Sequence, residues 1–306
     1  MANTTETTRP PAPPADVLER HARGALAEDV GAGDVTSDLV VPADAPARAT
    51  LVAREPGIAC GLALARTVFL LADHGLAITL LARDGDAVSA GAPLLAVSGA
   101  ARPILSAERV ALNFVGRLSG IASLTRRYVD AVAGTGARIL DTRKTTPGLR
   151  ELEKWAVRCG GGHNHRSGLW DGFMLKDNHR AALAAAGVDL VEAVRKARGR
   201  LPEGTLVTIE VDALEQIEEA LAAGADNILL DNMTPDQLAT AAARIAGAAL
   251  TEASGGIRLE SVRPVAACGV DRISVGALTH SAPALDVALD FAWEPATSAA
   301  GPAERS

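Results

Sequence analysis

The feature that most constrains the fold is a repeat that begins at residue 138. Each unit is a short apolar run, then polar residues, then an amphipathic helical pattern. Strands that alternate with helices form parallel sheets, and six closely spaced units without a Rossmann glycine fingerprint favour an α/β barrel. The apolar runs lie at 138–140, 172–175, 206–209, 227–230, 249–253 and 272–275. The helical patterns lie at 149–159, 179–185, 189–197, 213–223, 235–246 and 259–268.

Polar or glycine residues follow every predicted strand. Active sites of α/β barrels lie at the carboxyl ends of the strands, so these residues should meet at one rim. The first two strand ends are cationic, the next two are acidic, and the last two are rich in glycine. The residues concerned are Asp141, Arg143, Lys144, Lys176, Asp177, Asn178, Glu210, Asp212, Asp231, Asn232, Glu252, Ser254, Gly255, Gly256 and Gly276.

The charges of this rim suit a phosphorylated sugar. Residues 138–180 carry nine Lys and Arg against five Asp and Glu, in a chain of formal net charge −7. Such a local cationic cluster predicts a pocket for a small polyanion. The glycine-rich ends suit a phosphate group. Glu210 and Asp231 suit sugar hydroxyls, Mg²⁺ or a developing positive charge, so a sugar phosphate that reacts at its anomeric carbon would use all three parts.

Each part of this rim also has a plainer interpretation. Cations after strands can simply pair with Asp141 and Asp177, and a carboxylate such as Glu210 or Asp231 can cap a helix. The motif Ser254-Gly-Gly is weak alone, because glycine turns are common. Only the conjunction of the parts on one rim favours a site.

Two further features carry little weight from the residues alone. His163 and His165 have spacing that could suit a metal, but no carboxylate or cysteine ligand set accompanies them, so hydrogen bonding or packing is favoured. Arg109 lies in the first turn of a predicted helix, and the residues alone indicate a surface arginine there.

The first part of the chain predicts a mixed α/β unit. Helices are expected at 16–29 and 62–72, strands at 47–54, 77–82 and 93–98, and two helices at 106–118 and 121–133 interrupted at Ser119-Gly120. Residues 1–15 are rich in Pro and Thr, lack the apolar region of a signal peptide, and predict a disordered leader.

Bulk properties exclude several classes. No apolar run reaches the roughly 18–20 residues that a membrane span needs. The acidic balance argues against a general nucleic-acid binder. The three cysteines are widely spaced, which favours reduced thiols in the cytoplasm over a disulfide frame.

Several stretches together resemble the quinolinate phosphoribosyltransferase family, the carboxylating nicotinate-nucleotide pyrophosphorylases. They are SAERVALNFVGRLSGIA, DTRKTTPGLRELEKWAVRCGGGHNHRSGLWDGFMLKDNH, TIEVD, ILLDN, EASGGI and SVGALTHSAPALD, with GAGDVTSDLV and ATLVAREPGIACGL upstream. The likeness covers roughly residues 16–292, and the DTRKT, GGGHNHRSGL and KDNH segments are its most specific parts.

The resemblance implies a fold in two parts. An N-terminal α/β sandwich domain would span residues 16–120, and a C-terminal helix at 281–293 would return to it. An incomplete α/β barrel of parallel strands would span 121–280, with a flexible tail at 294–306. The family also implies a homodimer with shared active sites, and the sequence leaves larger assemblies open.

The resemblance also implies a reaction and the residues that perform it. Quinolinate and phosphoribosyl pyrophosphate (PRPP) would give nicotinate mononucleotide, pyrophosphate and CO₂, with Mg²⁺. The roles implied are quinolinate binding by Arg143, His165, Arg166, Lys176 and the partner subunit's Arg109; PRPP contact by Lys144 and Lys176; ribose, metal and catalytic roles for Glu210 and Asp231; and phosphate binding by Ser254, Gly255 and Gly276.

Two rival functions stay open on sequence grounds. One is a paralogous phosphoribosyltransferase with another acceptor. The other is a non-catalytic scaffold that binds anions on the same fold. The intact rim residues argue against the scaffold.

Overall fold

A computed structural model describes residues 9–293, and these divide into two compact units. One unit comprises Ala12–Arg117 and residues 285–293, and the other comprises residues 9–11 and Leu118–Ala284. The predicted tail at 294–306 and the first eight residues of the predicted leader lie outside the described residues.

The N-terminal part of the chain is built from helices and antiparallel strands. The elements in order are α1 (Ala15–Asp29), α2 (Val35–Val40), β1 (Pro46–Ala53), β2 (Gly57–Ile58), α3 (Leu62–Ala72), β3 (Ala77–Leu80), β4 (Ala87–Val88), β5 (Pro93–Ala100) and α4 (Ala101–Ala131).

The second part alternates strands and helices. Its elements are β6 (Arg138–Leu140), α5 (Arg150–Cys159), β7 (Phe173–Leu175), α6 (Asp177–Ala185), α7 (Leu190–Arg198), β8 (Val207–Val211), a 3₁₀ turn (Leu214–Gln216), α8 (Ile217–Ala222), β9 (Asn227–Asp231), α9 (Pro235–Ile245), β10 (Leu250–Ser254), α10 (Leu259–Ala267), β11 (Arg272–Ser274), α11 (Ala277–His280) and β12 (Val287–Ala292).

The N-terminal unit holds a four-stranded antiparallel sheet in the order β12-β1-β5-β3. Strand β1 is central, and Ala47, Ala49 and Leu51 on one of its faces are buried, as expected for a sheet with one covered face. Helix α3 buries Leu64, Val68 and other apolar side chains, and it packs against α1. This arrangement provides the core of the sandwich.

The predicted C-terminal helix at 281–293 is wrong, because residues 287–292 form strand β12. It pairs antiparallel with β1, from Arg48 opposite Ala292 to Ala53 opposite Val287. Valine, leucine and phenylalanine suit a strand, and the open edge of β1 offers backbone partners that the local pattern does not reveal. The segment therefore joins the sheet of the N-terminal unit.

The two helices predicted on either side of Ser119-Gly120 are one continuous helix, α4. A Cβ atom on Gly120 would lie 1.9 Å from the carbonyl oxygen of Pro283. Glycine is required there for close backbone approach, and it does not end the helix. A glycine in a helical pattern thus indicated packing where we expected a break.

The barrel unit contains six parallel strands in the order β6-β11-β10-β9-β8-β7. Strands β6 and β7 are the two edges, and the β6 edge is extended only by a bridge between Leu140 and His163. The inner strands are almost wholly buried, which is typical of parallel sheets covered by helices. The sheet is therefore an incomplete α/β barrel.

Among the helices of residues 9–293, none combines the length and the apolar character that crossing a membrane would require.

We expect Gly120→Ala to lower the free energy of unfolding by about 1–3 kcal/mol, because the added methyl group overpacks against Pro283. Gly24→Ala is the matched control. It also lies in a helix, but its Cβ would meet nothing within 4 Å, so it should be neutral or stabilise by about 0.5–1 kcal/mol. Denaturant unfolding measures both, and equal effects would contradict the packing explanation.

Candidate active site

One cavity of about 260 Å³ lies at the carboxyl ends of the barrel strands. It receives side chains from or just after all six strands, including both edge strands, so the sheet curves around it. Its lining is Thr142, Arg143, Lys144, His165, Arg166, Met174, Lys176, Glu210, Leu229, Asp231, Glu252, Ser254 and Ser274. Eight of the eleven predicted site residues meet here.

Three predicted site residues are not part of this lining. Gly255 directly follows Ser254, and a Cβ on it would lie 2.1 Å from Oδ1 of Asn232. A Cβ on Gly276 would lie 3.1 Å from Cδ of Lys144, so this glycine borders the lysine stem. Arg109 is exposed on the part of α4 that belongs to the N-terminal unit.

Strand register explains why the lining residues share a face. Glu210 lies opposite Leu229, and Leu229 lies opposite Glu252, so three adjacent strands present these side chains at one level. Side chains alternate with a period of two along a strand, so Asp231 and Ser254 form the next level toward the rim. The acidic group of the cavity thus follows from the β8–β9–β10 pairing.

Helix α5 holds the loop that carries Arg143. The Arg150 guanidinium donates to the Arg143 carbonyl at 3.3 Å and to the Ser167 carbonyl at 3.0 Å. One turn on, Glu153 accepts from the backbone N–H of Thr146 at 3.0 Å. These bonds connect the loop after β6 with the segment that carries Arg166.

A buried ion pair ties the same two segments together. Lys154 pairs with Asp141, and their side chains are 5% and 0% exposed. Asp141 also accepts from the His165 N–H at 2.8 Å, and Lys154 donates to the His165 carbonyl at 2.9 Å. Burial raises the pKa of Asp141 to about 6 although Lys154 opposes it, and burial lowers the pKa of Lys154 although Asp141 opposes that.

The cationic side of the cavity is crowded. Burial lowers the pKa of the Arg166 guanidinium, and the neighbouring positive charge of Arg143 lowers it further. Like charges held close together in a partly buried site are relieved by a bound anion. The arrangement therefore suits a ligand with one or more carboxylate or phosphate groups.

The acidic side meets the cationic side at one ion pair. Lys176, which follows β7, pairs with Glu210 at the end of β8. Asp231 accepts from the side-chain amide of Asn232 at 2.7 Å, and Asn232 itself has a φ of +54°. The Asn232 N–H donates to the Ser254 carbonyl at 2.9 Å, which links the ends of β9 and β10.

A second cavity of about 240 Å³ adjoins the acidic residues. It is lined by Asp177, Arg180, Glu210, Asp212, Gln216 and Asp231. Residues 9–293 contain no group of three or more His, Cys, Asp or Glu arranged to hold a metal ion. Mg²⁺ commonly takes one or two carboxylates and completes its shell with substrate phosphates and water, so this donor set fits a substrate-mediated Mg²⁺ site.

The comparisons with known proteins agree with this geometry. Residues 34–119 match the N-terminal domain model of quinolinate phosphoribosyl transferase, and residues 121–290 match its C-terminal domain model. The chain belongs to the quinolinate phosphoribosyl transferase family. The family predicted from the sequence is confirmed.

Curated relatives and solved structures of the family cover nearly the whole chain. The Mycobacterium leprae nicotinate-nucleotide pyrophosphorylase [carboxylating] is 46% identical over 90% of this chain and 98% of its own. A probable Bacillus subtilis counterpart is 44% identical over 86% and 89%. The NadC crystal structure from Streptococcus pyogenes has a TM-score of 0.87 at 39% identity and covers 94% of this chain and 100% of its own.

Sequence reasoning missed the residues that support the site from behind. Arg150, Glu153 and Lys154 were counted as charges but given no role, although their spacing of three and four places them on one face of a helix. Asn227 was not singled out, and it lies two residues before Leu229 on the inner face of β9. A polar residue such as Asn227 on the inner face of a barrel strand was the sequence signal that could have indicated a supporting role.

We expect Lys154→Met to lower the free energy of unfolding by about 3–5 kcal/mol, because it leaves the Asp141 carboxylate buried without its counter-ion. Lys196→Met is the control. Lys196 pairs with Glu192 on α7, and both side chains are more than half exposed, so its loss should cost about 0.5 kcal/mol or less. Equal unfolding midpoints in urea would contradict the role given to the buried pair.

Proposed function

We propose that this protein transfers the phosphoribosyl group of PRPP to quinolinate with decarboxylation, giving nicotinate mononucleotide, pyrophosphate and CO₂ for NAD biosynthesis. The observation that carries the proposal is one cavity with a cationic half and an acidic half, in a chain of the quinolinate phosphoribosyl transferase family. A dicarboxylate acceptor suits the first half, and a sugar phosphate suits the second.

Quinolinate would lie in the cationic half. Its two carboxylates would be surrounded by Arg143, His165, Arg166 and Lys176, all of which line the cavity. Each charge-assisted hydrogen bond contributes on the order of 1.5–3 kcal/mol, so a few of them hold a dianion firmly. The crowding of Arg143 and Arg166 supports this placement, since a dianion would offset it.

PRPP would occupy the acidic half and the glycine-rich rim. Glu210 and Asp231 would accept from ribose hydroxyls, and Lys144 would contact the pyrophosphoryl group. Ser254, Gly255 and Gly276 would bind the 5′-phosphate through hydroxyl and backbone N–H groups, which glycine leaves uncovered. The short distance between the Gly276 backbone and the Lys144 stem supports placing both phosphate groups on this side.

The reaction needs no covalent enzyme nucleophile. The pyridine nitrogen attacks the anomeric carbon as pyrophosphate leaves, and Glu210 and Asp231 stabilise the positive charge that develops on the sugar. The 2-carboxylate is then lost as CO₂, because the quaternised ring nitrogen stabilises the carbanion, which is protonated to give nicotinate mononucleotide. Orientation of two bound substrates supplies much of the rate.

Mg²⁺ is proposed as the cofactor, with Glu210 and Asp231 as its protein contacts, direct or through water and substrate. When bound, it would neutralise charge on the pyrophosphate leaving group. A chelator should therefore reduce turnover, while the donor set predicts little effect on folding.

We also propose a cytoplasmic homodimer with shared sites. The exposed Arg109 side chain on α4 supports a role at a subunit contact, where it would reach the partner subunit's cationic pocket. Within residues 9–293 no disulfide joins Cys60, Cys159 or Cys268, which accords with a reducing compartment.

The direct test supplies purified protein with PRPP, Mg²⁺ and either quinolinate or nicotinate. We expect nicotinate mononucleotide and CO₂ from quinolinate and no product from nicotinate, because nicotinate lacks one of the two carboxylates that the cationic half of the cavity would bind. Turnover of nicotinate only would favour a paralogous transferase with another acceptor. Anion binding without consumption of PRPP would favour a scaffold.

Arg109→Ala and Arg166→Ala should each abolish quinolinate turnover, and mixing the two should restore it. In a mixed dimer one site draws its barrel from one subunit and Arg109 from the other, so both residues are intact there. With random exchange the mixture should regain up to about a quarter of the wild-type activity. Arg66→Ala is the control. It removes an exposed arginine on α3, and it should be active without being mixed with a second variant. Failure of mixing, with exchange verified by differently tagged subunits, would refute the shared site.

A further inference from the structure

Glu252 is a fully buried carboxylate inside the barrel, and it faces three potential donors. The Asn227 side-chain amide donates to one oxygen at 2.8 Å, and the Ser274 hydroxyl donates to the other. The His165 Nε2 atom lies 3.3 Å from that second oxygen. Burial alone would raise the Glu252 pKa, but the hydrogen bonds from His165, Ser274 and Asn227 outweigh burial and lower it. The group is therefore an ionised acceptor.

The other ring nitrogen of His165 is also occupied. The Arg166 backbone N–H donates to Nδ1 of His165 at 2.7 Å. A nitrogen that accepts a hydrogen bond carries no proton, so the neutral ring holds its proton on Nε2, where it faces Glu252. The side chain is 15% exposed, so little of the ring is open to water.

We propose that Glu252 is a positioning residue for the cationic half of the cavity, where quinolinate is proposed to bind. It fixes His165 as the Nε2–H tautomer, and the ring in turn anchors the Arg166 main chain, so that the Arg166 guanidinium enters the cavity in one orientation. The kinetic consequence of this proposal rests on the proposed function.

The contacts argue for positioning and against a plain packing role for Glu252. Burying a carboxylate carries a large desolvation cost, and an apolar side chain would fill the barrel without that cost. The two Glu252 oxygens instead meet donors from Asn227 on β9, Ser274 on β11 and His165. These contacts connect the His165 ring to two strands of the sheet. Orienting partners of this kind are known to matter for histidines at metal sites, where their loss costs about 10–100-fold in affinity or activity.

Asn227 makes the conservative variant informative. Its Oδ1 atom is buried and has no hydrogen-bond partner among the described residues. In Glu252→Gln the new side-chain oxygen can still accept from His165 and Ser274, while the new NH₂ group faces Asn227. Rotation of the Asn227 amide by half a turn would present Oδ1 to that NH₂ group. Glu252→Gln therefore keeps the acceptor and removes the charge.

The test begins with ¹⁵N NMR of histidine-labelled protein, in which His165→Gln assigns the His165 signal among the six histidines. We expect the Nε2–H tautomer in the unliganded wild type and in Glu252→Gln. We expect a mixture of tautomers in Glu252→Ala, because a ring that has lost the acceptor at Nε2 can turn away from the Arg166 N–H. An Nδ1–H ring in the wild type would overturn the proposal without any variant. This measurement does not depend on quinolinate, so it remains decisive if the proposed function fails.

Steady-state kinetics supply the second measurement. Glu252→Ala should raise the KM for quinolinate by about 10–100-fold and the KM for PRPP by much less, and Glu252→Gln should recover most of the loss. Thr125→Val is the control, since it removes a buried hydroxyl on α4 that donates to the Ile121 carbonyl within the same helix at 2.8 Å, and it should leave both KM values unchanged. Equal rises in both KM values, or no rescue by Glu252→Gln, would overturn the positioning role and leave Glu252 with a structural role alone. If Glu252→Ala does not fold, the wild-type tautomer and the Glu252→Gln kinetics still decide the proposal.

Discussion

The buried ion pair between Asp141 and Lys154 is the interaction on which the cationic half of the cavity depends. Asp141 directly follows β6, and Lys154 belongs to α5, yet both also bond the main chain of His165. Neither charge is exposed to solvent to any useful extent, so each requires the other. Removal of either would leave the other charge buried and unpaired, and it would take one hydrogen bond from the His165 main chain.

The two halves of the cavity are held in place in different ways. The acidic residues lie on adjacent strands whose backbone register sets their spacing, and rigid strands need little further support. The cations after β6 and in the 163–166 segment lie on loops, which strands alone cannot hold. Helix α5 compensates through Arg150, Glu153 and Lys154, and Glu252 adds a support from inside the barrel. The cationic side chains are thus held in place by charged residues that are themselves buried or partly buried.

Most of the barrel and much of the cavity lining could be predicted from the sequence, because a period of strand, polar residues and helix is a local signal. The same local reasoning was wrong at Gly120, and the C-terminal helix that the family resemblance implied was wrong at residues 287–292. In both places the deciding partner is remote in sequence, namely the Pro283 carbonyl for α4 and the edge of β1 for β12. A glycine that permits close approach and a glycine that ends a helix look alike in the sequence.

The sequence by itself determined the repeat, the division of charge among the strand ends and the family. Those properties depend on residue type and local spacing, which a linear chain already contains. Only the tertiary structure decided that Asp141 pairs with Lys154, which belongs to α5, and that Glu252 faces His165. Such pairings depend on which side chains share a buried volume. An unpaired charge is costly there, so a buried charged group requires the partner that the fold places beside it.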